Sequence, residues 1–137
     1  MVESEKSLMQ IDMHDVEIFS IEISEDKSSA SIRFSSLAGD KTIKLIGLVA
    51  LRIEDFTMQN IVERTLSFSK GDYDDNSTNY WLNWATSLSD AHSWLSHEIK
   101  EKWKDQLKTK VLDMWVFIPS TGAQIAAVCT ELTVSER

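Results

Sequence analysis

The sequence predicts a single α+β domain in which an antiparallel sheet carries two helices on one of its faces. Three observations support this prediction. Apolar and polar residues alternate with period two at both ends of the chain, apolar residues recur at helical spacing in the middle, and a length of 137 residues corresponds to one domain. Strands grouped apart from helices are typical of the α+β class. We expect residues 1–10 to form a flexible tail and residues 11–137 to form the domain.

The first strands are predicted to form a β-meander. Apolar and polar residues alternate through 16–23 and again through 30–35, and the polar stretch SEDKSS between them is typical of a turn. The segment AGDK then provides a hairpin turn. A third strand is expected through 43–53, in which Gly47 would mark a bulge, and a fourth strand is expected over 62–68.

The middle of the chain predicts two helices, at about residues 79–88 and 90–109. The apolar residues that recur at helical spacing are Trp81, Trp84, Leu88, Leu95, Ile99, Trp103 and Leu107. Ser77 or Thr78 could cap the first helix, and Ser89 could cap the second. After the helices, VLDMWVFI, the turn PSTG and AQIAAVCTELTV predict a closing β-hairpin.

The formal net charge is −8, and residues 1–40 alone hold nine acidic and three basic side chains. Such a surface disfavours nucleic acid, whose phosphates need basic residues, and would attract a basic protein partner. The N-terminus lacks the basic start and apolar stretch of a signal peptide, and no apolar run is long enough to cross a bilayer. The single cysteine, Cys129, is expected to be buried and unreactive in a reducing compartment. We therefore expect a cytoplasmic protein without membrane contact.

Metal-binding patterns in the sequence are incomplete. His14-Asp15 is reminiscent of metal hydrolases, which need more histidines than the three present here. His92 and His97 would be rotated by about 140° from each other on a helix. The stretch that begins at Asp72 starts like a calcium loop, but serine replaces the required glycine and asparagine replaces the required glutamate. We expect neither a metal nor another cofactor.

Catalytic motifs are also incomplete. Ser67-Phe68-Ser69-Lys70 has the Ser-x-x-Lys spacing of serine acylases, but it lies on a predicted strand and its partner motifs are missing. The four glycines are too scattered for a phosphate-binding loop. We therefore predict no catalytic residues and no enzyme activity.

A protein-binding surface is predicted from aromatic and acidic residues near the helices. Four of the five tryptophans fall at apolar positions of the pattern and are expected in the core, namely Trp81, Trp84, Trp103 and Trp115. Trp94 is different, because it neighbours Leu95 and the two side chains cannot both face inward. An exposed tryptophan is a good binding anchor. We predict that Trp94, together with Asp72, Asp74 and Asp75 of the acidic loop, contacts a partner.

Three segments, taken together, resemble a known group of proteins. They are MHDVEIFSIEI near the start, IGLVALRIEDFTMQNIV in the middle and FIPSTGAQIAAVC near the end. This pattern, within residues 11–69 and 115–130, resembles small bacterial immunity proteins encoded beside polymorphic toxins, and related small bacterial families of unassigned role. The resemblance implies tight binding that blocks a cognate toxin without catalysis or a cofactor. A basic toxin domain, such as a nuclease, would suit the acidic character of the chain.

Three functions are compatible with these observations. The first is a non-enzymatic protein-binding domain, most specifically a toxin-neutralising immunity protein. The second is a small-molecule-binding or catalytic module with a pocket between the helices and the sheet, lined by Trp81, Trp84 or Trp115. The third is a structural subunit that oligomerises through exposed strand edges or through Trp94.

Overall fold

The computed structural model describes residues 12–69, 73–88 and 92–136 of the chain. Within these residues the α+β class is confirmed, with one open eight-stranded antiparallel sheet and two helices. In chain order the elements are β1 (Glu17–Ile23), β2 (Ser29–Ser36), β3 (Gly39–Ile46), β4 (Ala50–Glu54), β5 (Ile61–Ser67), α1 (Asp75–Ala85), α2 (His97–Lys108), β6 (Asp113–Thr121), β7 (Gln124–Cys129) and β8 (Glu131–Glu136). The predicted tail, residues 1–10, lies outside the described residues.

The strands follow the order β4-β7-β6-β5-β1-β2-β3-β8 across the sheet. Strand β1 pairs with β2, and β2 pairs with β3, so these strands adjoin in the order of the chain. Strand β5 pairs with β6, although both helices lie between them in the sequence. The turn between β1 and β2 is closed by Asp26, whose carboxylate accepts hydrogen bonds from the backbone and hydroxyl of Ser28 and from the hydroxyl of Ser24. The polar stretch in the sequence thus forms a turn because its side chains satisfy its own backbone.

The single strand predicted over 43–53 is wrong, because the chain forms two strands that belong to opposite ends of the sheet. Gly47 lies at the corner between β3 and β4 with a φ of +64°, and no bulge is formed there. A Cβ atom on Gly47 would clash with the hydroxyl oxygen of Thr130. The backbone N–H of Thr130 donates to the carbonyls of Ile46 and Gly47 at 3.0 and 3.1 Å. Glycine is needed here because the turn is left-handed and Thr130 approaches closely.

The predicted closing hairpin forms between β6 and β7, but its second predicted strand is divided, since Thr130 alone separates β7 from β8. Strand β7 pairs with β4 and β6 at one end of the sheet, whereas β8 pairs with β3 at the other end. Both the β3–β4 and the β7–β8 connections are too short to cross a flat sheet of eight strands. The sheet must therefore roll up until its two ends lie close together.

The inner face of the rolled sheet holds the first hydrophobic core. Its largest fully buried side chains come from five different strands, and they are Ile18, Ile32, Phe34, Ile43, Leu45, Phe117 and Ile125. Cys129 is fully buried in the same core. Burial raises the pKa of its thiol to about 12, so the sulfur stays protonated and unreactive at neutral pH.

The second hydrophobic core joins the helices to the outer face of strands β4, β6 and β7. Its fully buried members are Leu82, Leu107, Met114, Val116, Ala126 and Val128. Strand β7 is buried on both faces because the rolled sheet encloses one face and the helices cover the other. This double burial explains the continuous apolar run IAAVC in that strand.

The helix bounds differ from the predicted ones, because the caps lie at other residues. Helix α1 begins and ends earlier than predicted, and α2 is shorter because it begins only at His97. Asp74 caps α1 by accepting a hydrogen bond from the backbone N–H of Ser77 at 2.9 Å, and Ser96 caps α2 by accepting from Ile99 at 3.2 Å. Ser77 therefore lies inside α1, and Ser89, the predicted second cap, lies outside the described residues. Helix α1 ends at Ala85, so the side chain of Leu88 falls beyond it and is exposed.

Candidate protein-binding surfaces

Trp94 is held in place on the segment that enters α2. Its backbone N–H donates to the carbonyl of Thr86 at 2.9 Å, beside a β-bridge between Ser87 and Ser93. Its ring meets the ring of Trp103 edge-on, with 6.2 Å between the centroids. The side chain is nevertheless 53% exposed. The structure therefore presents a large aromatic surface whose position is fixed by neighbours on both sides.

The other tryptophans differ in their burial. Trp115 is buried in the first core, as predicted, whereas Trp81, Trp84 and Trp103 are only partly buried at the edge of the second core. The reason is that the two helices leave the rim of this core open, and large rings cover the rim without being enclosed. Aromatic stacking continues along α1, where the rings of Trp81 and Trp84 lie 5.8 Å apart in an edge-to-face arrangement.

Arg52 connects this aromatic rim to the sheet. Its guanidinium lies 4.4 Å from the ring centroid of Trp84 and donates to the backbone carbonyl of that residue at 3.0 Å. The same guanidinium forms an ion pair with Glu54 at 2.9 Å. A cation over an indole face stabilises the contact electrostatically, so Arg52 fixes the end of α1 against β4.

The acidic residues predicted to contact a partner have structural roles of their own. Asp72 lies outside the described residues. Asp74 caps α1, and the hydrogen bond from the backbone of Ser77 lowers the pKa of its carboxyl. Asp75 accepts hydrogen bonds from Lys104 at 3.0 Å and from Tyr73 at 2.9 Å, and the contact with Lys104 lowers the pKa of its carboxyl. The structure thus brings Asp74 and Asp75 to the start of α1 and does not place them in contact with Trp94.

Lys104 ties the two helices together through this acidic segment. Its side chain is buried along most of its length, and its ammonium group also pairs with Glu101 at 3.3 Å. The hydrogen bond to Asp75 raises the pKa of the lysine. Because Lys104 neutralises Asp75, this carboxylate contributes less to the field around the protein than its exposure suggests.

A second candidate surface lies between the end of β4 and the C-terminal part of β1, and it was not predicted from the sequence. Six residues line a hollow of about 440 Å³ that we call the β1–β4 slot, namely Phe19, Ser20, Ile21, Ile23, Ile53 and Phe56. One sequence signal could have indicated it. Ile18 and Phe19 are adjacent apolar residues that cannot both face inward on a strand, as Trp94 and Leu95 cannot share one face.

A larger hollow of about 770 Å³ lies where the described chain begins, and its lining is a mixture of polar and apolar groups. It includes Asp12, His14, Asp15 and Lys41. Asp15 adopts a φ of +65° in a local turn beside His14, and Lys41 already pairs with Glu136 at 2.7 Å. Across residues 12–69, 73–88 and 92–136, no group of three or more histidine, cysteine or acidic side chains is arranged to hold a metal ion.

The lengths of the helices and comparisons with known proteins were also considered for this chain. Neither of the two described helices has the length and apolar character needed to cross a membrane. Comparisons with protein-family models, with curated proteins and with solved structures give no match to this chain.

Proposed function

We propose that this chain is a non-enzymatic protein-binding domain that engages a basic protein partner in the cytoplasm. In its most specific form the proposal is an immunity protein that neutralises a cognate bacterial toxin. The observation that carries it is Trp94, a half-exposed indole fixed between a backbone hydrogen bond and the ring of Trp103. The resemblance of the strand segments to immunity proteins supports the toxin-neutralising form.

A fixed tryptophan favours tight binding for an energetic reason. Tryptophan is enriched among the few interface residues that contribute most of the binding energy. A side chain that is already held in one position also loses little conformational freedom when the partner arrives. Ile99 is exposed and lies one helical turn before Trp103 on α2, so it is on the same side of that helix as the ring that Trp94 meets.

The net charge of −8 supports a basic partner. Because Asp74 and Asp75 already have partners within the chain, we expect attraction to come from the summed charge of the surface, and direct contact with these two carboxylates contributes less. Such attraction acts mainly on the association rate, which should fall as the salt concentration rises.

The decisive experiment uses the protein encoded beside this chain as the partner. We expect co-expression to protect the host and to yield a complex, and Trp94→Ala to raise the Kd roughly 30-fold, the effect of removing an anchor that contributes about 2 kcal/mol. Leu37→Ala is the matched control, since Leu37 is fully exposed in the β2–β3 turn. Absence of both complex and protection with the unsubstituted chain would contradict the proposal.

The two competing functions are less well supported by the packing. A small-molecule pocket between helices and sheet needs open volume, and the side chains of Leu82, Leu107 and Met114 at that place are fully buried. The two hollows described above are lined by residues other than Trp81, Trp84 and Trp115. An assembly subunit would oligomerise through free strand edges. This hypothesis predicts that light scattering detects oligomers at high protein concentration.

A further inference from the structure

We propose that the β1–β4 slot binds an extended peptide segment of a protein partner, in which apolar side chains alternate with lysine or arginine. The segment would add as a strand along the exposed edges of the sheet. This inference goes beyond the surface around Trp94 and does not depend on a toxin-neutralising role. Three features support it: the strand edges, the apolar lining and the charges at the rim.

Two strand edges that border the slot are unpaired within the described chain. Strand β5 meets β1 only at its start, where Glu17 faces Ile61 and the N–H of Ile18 donates to the carbonyl of Asn60. From Phe19 onward β1 pairs with β2 alone, and β4 pairs with β7 alone. An unpaired edge offers backbone donors and acceptors to an incoming strand. A stretch of five edge residues corresponds to about 17 Å of extended peptide.

The lining of the slot is apolar and partly open to solvent. Phe19, Ile23 and Phe56 are 44%, 45% and 47% exposed. The pairing of β1 with β2 is irregular between Ile18 and Ser20, and this bulge turns Phe19 outward. Beneath these side chains, Ile21 and Ile53 pack against the first core. The guanidinium of Arg33 lies 5.3 Å from the ring centroid of Phe19 and borders the slot on that side. The slot therefore offers a partly exposed apolar surface to the side chains of a partner.

Acidic residues alternate with the apolar residues that line the slot. Glu22 lies between two lining residues of β1, and Glu54 and Asp55 lie between Ile53 and Phe56. Glu54 pairs with Arg52 at 2.9 Å, whereas Glu22 and Asp55 have no ion pair within the described chain. A strand with apolar residues on one face and basic residues on the other matches this alternation. A second copy of this chain would place like charges together.

The wall of the slot formed by Phe56 is held in position before any partner binds. Asp55 has a φ of +64°, which turns the chain back after β4. The buried side chain of Asn60 then fixes the loop, because its carbonyl oxygen accepts from the N–H of Thr57 at 2.9 Å and from that of Ala123 at 3.0 Å. Binding therefore requires little ordering of this loop, which favours affinity for a short segment.

The test uses the full isotope-labelled chain and three blocked heptapeptides. One alternates lysine with valine, the second alternates lysine with serine, and the third alternates glutamate with valine. We expect only the lysine–valine peptide to bind, with slower amide exchange at residues 19–23 and 50–54. The lysine–serine peptide controls for charge alone, and the glutamate–valine peptide controls for apolar character alone.

Variants show whether peptide binding depends on the slot or only on the overall negative charge of the chain. Phe56→Ser should weaken binding of the lysine–valine peptide at least tenfold, and the double variant Glu22→Lys with Asp55→Lys should shift the preference to the glutamate–valine peptide. Trp94→Ala should leave peptide affinity unchanged. Unchanged thermal unfolding of each variant shows that it is folded, and Ile23→Ser replaces Phe56→Ser if that variant is unstable.

Several results would overturn the inference. They are equal binding of the lysine–serine peptide, no detectable binding of any of the three, protection confined to residues outside the two edges, or sedimentation as a dimer that buries the slot. If the unsubstituted chain binds the lysine–valine peptide but forms no complex with the protein encoded beside it, the proposed function is contradicted and the inference about the slot stands. If the chain forms that complex but does not bind the peptide, only the inference about the slot is contradicted.

Discussion

Three carboxylates on the described surface have pKa values below their usual range, and each of them serves neighbouring structure. Asp26 accepts from the backbone of Ser28, Asp74 accepts from the backbone of Ser77, and Asp75 pairs with Lys104. A carboxylate that accepts hydrogen bonds or faces a cation is stabilised in its charged form. Part of the acidic character of this chain is therefore structural, and only the remainder is available to a partner.

Asp26 makes the β1–β2 turn sensitive to acid. Hydrogen bonds from the backbone and hydroxyl of Ser28 and from Ser24 lower the pKa of its carboxyl from 3.8 to about 2. A group whose pKa is depressed in the folded state contributes stability above its unfolded pKa and loses that contribution as the pH falls through the folded value. We expect the loss between pH 3.8 and about 2. Carboxyl NMR titration measures the pKa directly, and Ser28→Ala should raise it.

The control for this prediction is Asp26→Asn, which cannot ionise but can still accept hydrogen bonds. The acid dependence of unfolding that comes from this turn should be smaller in that variant. If the unsubstituted chain and Asp26→Asn lose stability in parallel between pH 4 and pH 2, other carboxylates account for the acid sensitivity.

The helices show how far local signals predict an element. Helical spacing predicted that two helices follow the strands, and the structure has α1 and α2 in that region. The starts were misplaced because several serine, threonine and aspartate residues near each start are suitable caps. Which of them caps depends on the angle at which the chain arrives from the preceding segment. That angle is set by contacts such as the bridge between Ser87 and Ser93.

Ser96 is the cap to test, since its hydroxyl accepts from the N–H of Ile99. Ser96→Ala should lower the free energy of unfolding by about 1 kcal/mol, because one N–H at the helix start loses its acceptor. Ser96→Asp retains an acceptor and adds a negative charge at the positive end of the helix dipole, so it should be neutral or slightly stabilising. Urea unfolding of both variants measures the difference. Equal stability of the alanine and aspartate variants would show that Ser96 is not an effective cap.

The shape of the whole molecule depends on one corner where two long stretches of chain bend together. Gly47 and Thr130 lie at this corner, and the hydroxyl of Thr130 donates to the carbonyl of Ile46 at 2.9 Å. The corner lets β3 and β4, and likewise β7 and β8, serve opposite ends of the rolled sheet.

Gly47→Ala tests this corner. The variant places a Cβ atom against Thr130 and imposes a left-handed conformation on alanine, so we expect a loss of at least about 2 kcal/mol in the free energy of unfolding. Thr130→Ala alone should cost about 1 kcal/mol through its lost hydrogen bond. The double variant removes the two closest of the three Thr130 atoms, so the total loss should be smaller than the sum of the two. Strict additivity in urea unfolding would contradict the close approach.

The fold class and most of the strands could be predicted from the sequence, because the alternation of apolar and polar residues indicates which side of each strand is buried. The exposure of Trp94 could also be predicted, since the neighbouring large apolar residues Trp94 and Leu95 cannot share one face. Tertiary contacts set the strand pairing beyond the first hairpins, the division of the predicted third strand at Gly47, and the slot between β1 and β4. The physical reason is that strands pair through backbone groups that every residue shares. A side-chain pattern therefore specifies a buried face without naming the neighbour at an edge.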